Sequence, residues 1–189
     1  DTTVSALSAG RDVTLGAGHN VTADQLAAGR DLAVSATNMA ALSAVKVGNN
    51  ATVTAQGDLS LSVVAVTNNL VATATTGDLT GPGAVQVGGQ TSLAAGNDIT
   101  LLDPNHQFGG LVTIRTGQDV AVNASGDLAL TGSSGTLTAT GSVGNVTLAG
   151  YTANELTATA GNRLLVNQAL NLDSGATLTA DMISLNAPV

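Results

Sequence analysis

Gly10-Arg11-Asp12-Val13-Thr14-Leu15 and Gly29-Arg30-Asp31-Leu32-Ala33-Val34 carry one six-position pattern nineteen residues apart. Gly48-Asn49-Asn50-Ala51-Thr52-Val53 repeats it after nineteen more. The pattern returns at Gly96-Asn97-Asp98-Ile99-Thr100-Leu101, at Gly117-Gln118-Asp119-Val120-Ala121-Val122 and at Gly161-Asn162-Arg163-Leu164-Leu165-Val166. A shorter form reads Gly57-Asp58-Leu59-Ser60-Leu61, Gly77-Asp78-Leu79 and Gly126-Asp127-Leu128-Ala129-Leu130. Half-spacings of nine separate Gly48 from Gly57 and Gly117 from Gly126. A fixed period near twenty residues is the mark of a repeat architecture.

Each unit reads as a turn followed by a short alternating strand. Glycine is expected to supply a positive φ at the corner, and the Asn or Asp beside it to bond its own backbone. The apolar-x-apolar triplet then sends two side chains one way and a small polar one the other. Two corners and two or more strands per period describe one coil of a β-solenoid, in which each strand pairs in parallel with its copy one coil on. The chain is long enough for nine or ten coils, a rod of about 45 Å at the usual strand spacing of about 4.8 Å. The expected lumen residues are Val13, Leu15, Leu32, Val34, Val53, Leu59, Leu61, Ile99, Leu101, Val120, Val122, Leu128, Leu130, Val146, Leu148, Leu164 and Val166. A narrow lumen of this kind accounts for an aromatic content of 1%.

Composition removes several classes. The 189 residues are 43% hydrophobic and 10% charged, which disfavours disorder. No apolar run approaches the length of a membrane-spanning helix. Net charge is −8, and the five cations Arg11, Arg30, Lys46, Arg115 and Arg163 are scattered. Nucleic acid and heparin-type polyanions need clustered cations, so neither is an expected partner. Absence of cysteine excludes disulfides and thiolate metal sites. The chain opens Asp1-Thr2-Thr3 without an initiator Met, and residues 1–189 read as one shaft segment excised from a larger protein.

The string Ala-Gly-Arg-Asp-Val-Thr-Leu-Gly-Ala-Gly at 9–18, with its copies, resembles the repeats of filamentous haemagglutinin-like exoproteins of the two-partner-secretion class. The resemblance covers nearly the whole chain. It implies a right-handed parallel β-helix, export through an outer-membrane transporter partner, and a place in a secreted or surface-attached shaft of a Gram-negative bacterium. Export as an unfolded chain through a pore agrees with the absence of cysteine. A host-cell receptor or glycan would then be bound by other parts of the parent protein.

Several groups of residues admit both a site reading and a plainer one. Asp12, Asp31, Asp58, Asp78, Asp98, Asp119 and Asp127 follow glycines by one or two positions. Calcium needs six to eight oxygens at one centre. One acid per corner supplies too few, so these are read as corner-formers, and no metal or cofactor is expected. The segment Asp103-Pro104-Asn105-His106-Gln107-Phe108-Gly109-Gly110 breaks the period. It is expected to be an irregular surface loop, with Asp103, Asn105, His106 and Phe108 as its candidate residues. Tyr151 and Glu155 mark a second irregular corner. The pairs Thr136/Thr138, Thr157/Thr159 and Thr177/Thr179 recur at intervals close to the coil period and are expected to stack into an outward threonine face. Neither paired carboxylates nor a Ser-His-Asp arrangement emerges, so no catalytic residue and no enzyme activity is expected.

The reading reached from the sequence is a structural rod segment of a bacterial adhesin that holds a terminal binding module away from the cell. Next comes the shaft of a contact-dependent toxin-delivery exoprotein, and third a carbohydrate-binding or carbohydrate-active β-helix. End-to-end self-association of the 189-residue fragment is also expected, because an end coil presents unpaired strand edges.

Overall fold

The computed structural model describes residues 1–188. They form 21 β-strands and no helix, with every strand pairing parallel. The first face of the solenoid runs the full length. Val21 pairs with Ala40, Ala40 with Leu59, Leu59 with Leu79, Leu79 with Ile99, and Ile99 with Val120. The ladder goes on through Leu137, Leu156 and Ala176. With Thr2–Val4 at its head, this face has ten strands, one per coil. The third face is as long, from Val13–Ala17 to Met182–Leu185.

The second face is shorter. Leu7–Ala9 pairs with 26–28, then with 45–47, 64–66, Val85–Val87 and finally Gln107–Phe108. There it stops. In the next coil the chain passes from the end of Asp119–Ala124 straight into Leu128–Ser133 through Ser125, Gly126 and Asp127. The coil contracts accordingly: on the first face, Val120 stands twenty-one positions after its partner Ile99, but Leu137 only seventeen after Val120. The third side is rebuilt at the opposite corner, where bends at Gly132, Gly150 and Gly175, all at positive φ, turn the chain back to the first face.

The lumen holds the apolar ladders the alternation requires. All the expected lumen residues are buried except Leu15, which is half-buried in the first coil. Alanines fill many rungs, among them Ala40, Ala51, Ala55, Ala72 and Ala74, and keep the two long faces close. Tyr151 is 2% exposed and lies between Gly132 and Leu170 in its ladder. Its hydroxyl donates to Ser134 Oγ at 3.0 Å, and burial pushes its ionisation up to about 12. Tyr151 is therefore core, and Glu155 beside it stands exposed on the first face.

The corners differ from the sequence expectation in two ways. None of the repeat glycines has a positive φ. Glycine is needed there because the coils approach closely: a Cβ on Gly29 or Gly48 would overlap the carbonyl of the glycine one coil earlier. The left-handed corners are instead built by Gln25, Ala44 and Val63, which stack in successive coils at φ of 52°, 52° and 54°. In addition, the corner Asp and Asn side chains do not bond their own turns. Asp12 Oδ1 accepts Asp31 N–H, Asp31 Oδ1 accepts Asn50 N–H, Asn50 Oδ1 accepts Asn69 N–H, and Asn69 Oδ1 accepts Gln90 N–H. A second corner repeats the device from Asp58 through Asp78 and Asp98 to Asp119. Each side chain thus satisfies a backbone donor of the following coil. Arg30 adds a two-pronged pair to Asp12, and that guanidinium holds the Asp12 carboxyl below its ordinary range.

Candidate functional site

The segment 103–110 lies where the second face ends. Asp103 and Asn105 are at the surface, as expected of a loop. Asp103 Oδ1 accepts the Asn105 backbone N–H at 2.8 Å and its side-chain amide at 3.0 Å, a tight local turn beside Pro104. His106 and Phe108 are not surface residues, and the expectation for them is corrected. His106 is fully buried and Phe108 only 6% exposed. They occupy the lumen positions below Val85 and Val87, because alternation along the last second-face strand turns Gln107 outward and its neighbours inward.

His106 has a structural task. The turn at Pro104 carries the backbone away from the ladder, so the Val85 N–H loses the carbonyl it would otherwise meet. His106 Nδ1 accepts that N–H instead, at 2.9 Å. The proton of the neutral ring therefore sits on Nε2, which is buried without a hydrogen-bond partner. Burial holds the imidazole below its ordinary pKa, partly opposed by the Asp103 charge and the Gly81 carbonyl.

Beside this segment a groove of about 770 Å³ opens across six coils. Lys46, Ala65, Gln86 and Gln107, the outward column of the second face, form one side. Ser125, Gly126, Asp127 and Val143, from the contracted coils, form the other. A smaller hollow of about 320 Å³ adjoins it at Ala44, Val63 and Ala84, next to the left-handed stack. The groove escaped the sequence reading. Its signal was a drop in glycine spacing, from twenty-one between Gly96 and Gly117 to eighteen between Gly117 and Gly135.

The threonine face forms with a register shift at one of its two steps. Thr138 stacks on Thr157 and Thr177, and Thr140 on Thr159 and Thr179. Thr136 stands over Glu155 and donates to Asp119 Oδ1 at 2.8 Å. The step from Thr138 to Thr157 is nineteen residues, against twenty-one between the pairs Thr136/Thr138 and Thr157/Thr159, so the first pair moves by two places, whereas Thr157/Thr159 stack on Thr177/Thr179 as expected. The Thr138 column extends the whole rod as Thr3, Thr22, Ala41, Ser60, Thr80, Thr100 and Ala121. Outward positions of this column are thus small in every coil.

His19 is exposed, 3.0 Å from the Asp1 carboxylate. Among the described residues, no group of three or more His, Asp or Glu is placed so as to hold a metal ion. Residues 48–115, which include the last three strands of the second face, match a family model described as repeats of unknown function (DUF5649). No curated protein matches the chain, and neither does any solved structure.

Proposed function

We propose that this chain is a rod segment of a secreted or surface-attached bacterial adhesin, serving to extend a terminal binding module from the cell. The observation that carries the reading is the unbroken first-face ladder, ten strands paired from Thr2 to Thr179. Each coil's core continues into the next, so bending anywhere along the rod would disturb both packing and hydrogen bonds. The contraction after Phe108 changes the cross-section while leaving this ladder intact. The resemblance of the repeats to filamentous haemagglutinin-like exoproteins supplies the adhesin context.

The test is an in-register excision in the parent protein. Removing residues 21–58 deletes two coils of nineteen and joins Asn20 to Leu59, which occupies the same lumen position as Val21. The shortened protein should fold and attach to its target as before, with a contour shorter by about 10 Å. Loss of attachment by a protein that remains folded would overturn the reading and place binding within these coils.

A further inference from the structure

The last strand of the second face has a vacant edge. In a parallel ladder, the N–H and C=O of one residue point to the same neighbour, and successive residues alternate. Gly109 donates to the Val87 carbonyl, towards the preceding coil, whereas the His106 carbonyl accepts from Ser125 in the following one. Phe108, between Gln107 and Gly109, therefore turns both its N–H and its C=O towards the following coil. That coil has no second-face strand, and Phe108 pairs only with Val87. Two backbone groups of a residue only 6% exposed thus face the groove without a strand to meet them. Leaving such groups unpaired is costly, and pairing them is correspondingly favourable.

We propose that the groove beside Phe108 receives an extended peptide strand of a partner protein, which continues the second face by one rung. This goes beyond the rod reading and does not depend on it. The incoming strand would lie parallel to Gln107–Phe108. Its residue opposite Phe108 is apolar and points towards the lumen. The carbonyl before that residue accepts the Phe108 N–H, and the N–H after it donates to the Phe108 carbonyl. The polar side chain before it extends the Gln86–Gln107 column on the outer surface. The preferred segment is therefore apolar-polar-apolar, like the chain's own second-face strands Val45-Lys46-Val47 and Val85-Gln86-Val87. Gly126 marks the space it enters: a Cβ placed there meets nothing within 4 Å.

The probe is the peptide Ala-Val-Gln-Val-Gly-Gly-Gln, a copy of residues 84–90, added to the 189-residue chain. Amide exchange is followed residue by residue. The Phe108 N–H should exchange freely alone and at least tenfold more slowly with the peptide, while Gln107, already in the ladder, changes little. Gly126→Leu, which fills the groove, should weaken peptide binding at least tenfold. A peptide with proline at its fifth position lacks the N–H for the Phe108 carbonyl and should fail on the unaltered protein, whatever the folding of Gly126→Leu. The proposal is overturned if the peptide does not slow exchange at Phe108, or if the proline peptide slows it equally. It is also overturned if a neutral oligosaccharide such as maltoheptaose, rather than the peptide, perturbs these amides.

Discussion

The Asp58 carboxylate accepts the backbone N–H of Asp78 at 3.0 Å, one coil further on. Asp78 does the same for Asp98 at 3.2 Å, and Asp98 for Asp119 at 3.1 Å. Four carboxylates stack on one corner, and each of the first three is held by a single oxygen to the coil that follows. The acceptor is useful and the charge is not, since like charges one strand spacing apart repel.

Asp78→Asn keeps the acceptor and removes one charge, so its stability should equal or exceed that of the parent. Asp78→Ala leaves the Asp98 N–H unmatched and should cost about 1 kcal/mol. Denaturant midpoints of the two variants check this, and added salt should narrow the gap between the parent and Asp78→Asn.

Folding stability should fall as the solution is acidified through the histidine range. The folded pKa of His106 lies below its ordinary value of 6.5, because the ring is buried and its Nδ1 accepts from Val85. Between the unfolded and folded values the unfolded chain binds more protons, so stability is full above about 6.5 and drains away as pH falls through the folded value. His106→Asn should flatten this part of the profile, measured by denaturant midpoints from pH 8 to 5. An unchanged slope would assign the effect to other groups.

Gly132→Ala should be among the most damaging single changes. Gly132 has a φ of 131°, and a Cβ there would overlap the Ile114 carbonyl oxygen. Strain and clash together put the loss on the order of 3 kcal/mol or more. Equilibrium unfolding measures it, with a loss under about 1 kcal/mol counting against this role for Gly132.

Thr91→Val should stabilise the rod. Thr91 is 1% exposed in the lumen ladder between Leu70 and Val112, and its hydroxyl has no partner. Valine has nearly the same shape without the buried polar group, so a gain of about 1 kcal/mol is expected in unfolding free energy.

The 189-residue chain should associate end to end, and more strongly as salt rises. Ile183 and Leu185 hold lumen positions beneath Leu164 and Val166, yet are 44% and 56% exposed in the last coil. With a net charge of −8, the rods repel at low ionic strength, and screening relieves this. Sedimentation over a concentration series at low and high salt checks it. A monomer under both conditions contradicts the expectation.

The solenoid was legible because the apolar-x-apolar triplets and their period encode strand and coil directly, and of the assigned lumen positions all but Leu15 are buried. What the corners do was less legible. A repeated glycine looks the same whether it supplies a positive φ or clears a carbonyl of the preceding coil, as Gly48 does. The left-handed positions went to Gln25, Ala44 and Val63, which carry no local signature. His106 was misplaced because its polar neighbours Asp103, Asn105 and Gln107 do lie outside. Its inward position is held by its bond to Val85 in the coil above, a relation that local sequence does not display. The groove depended on how a short coil, from Val120 to Leu137, closes after a long one, from Ile99 to Val120, and the threonine register on the nineteen-residue step from Thr138 to Thr157. Spacing within a single coil does not reveal that.

The ladders also govern how the molecule would respond to a pull. Strands run around the rod, so the hydrogen bonds between coils lie along its length and take axial tension directly rather than in shear. Only an end coil lacks a neighbour on one side, so unravelling starts there and proceeds one coil at a time. Each coil of seventeen to twenty-one residues, drawn out at about 3.4 Å per residue, would release about 60–70 Å of chain. A sheath of this kind yields in many small lengthening steps, and a stretched tether would shed load while most of its coils remained folded.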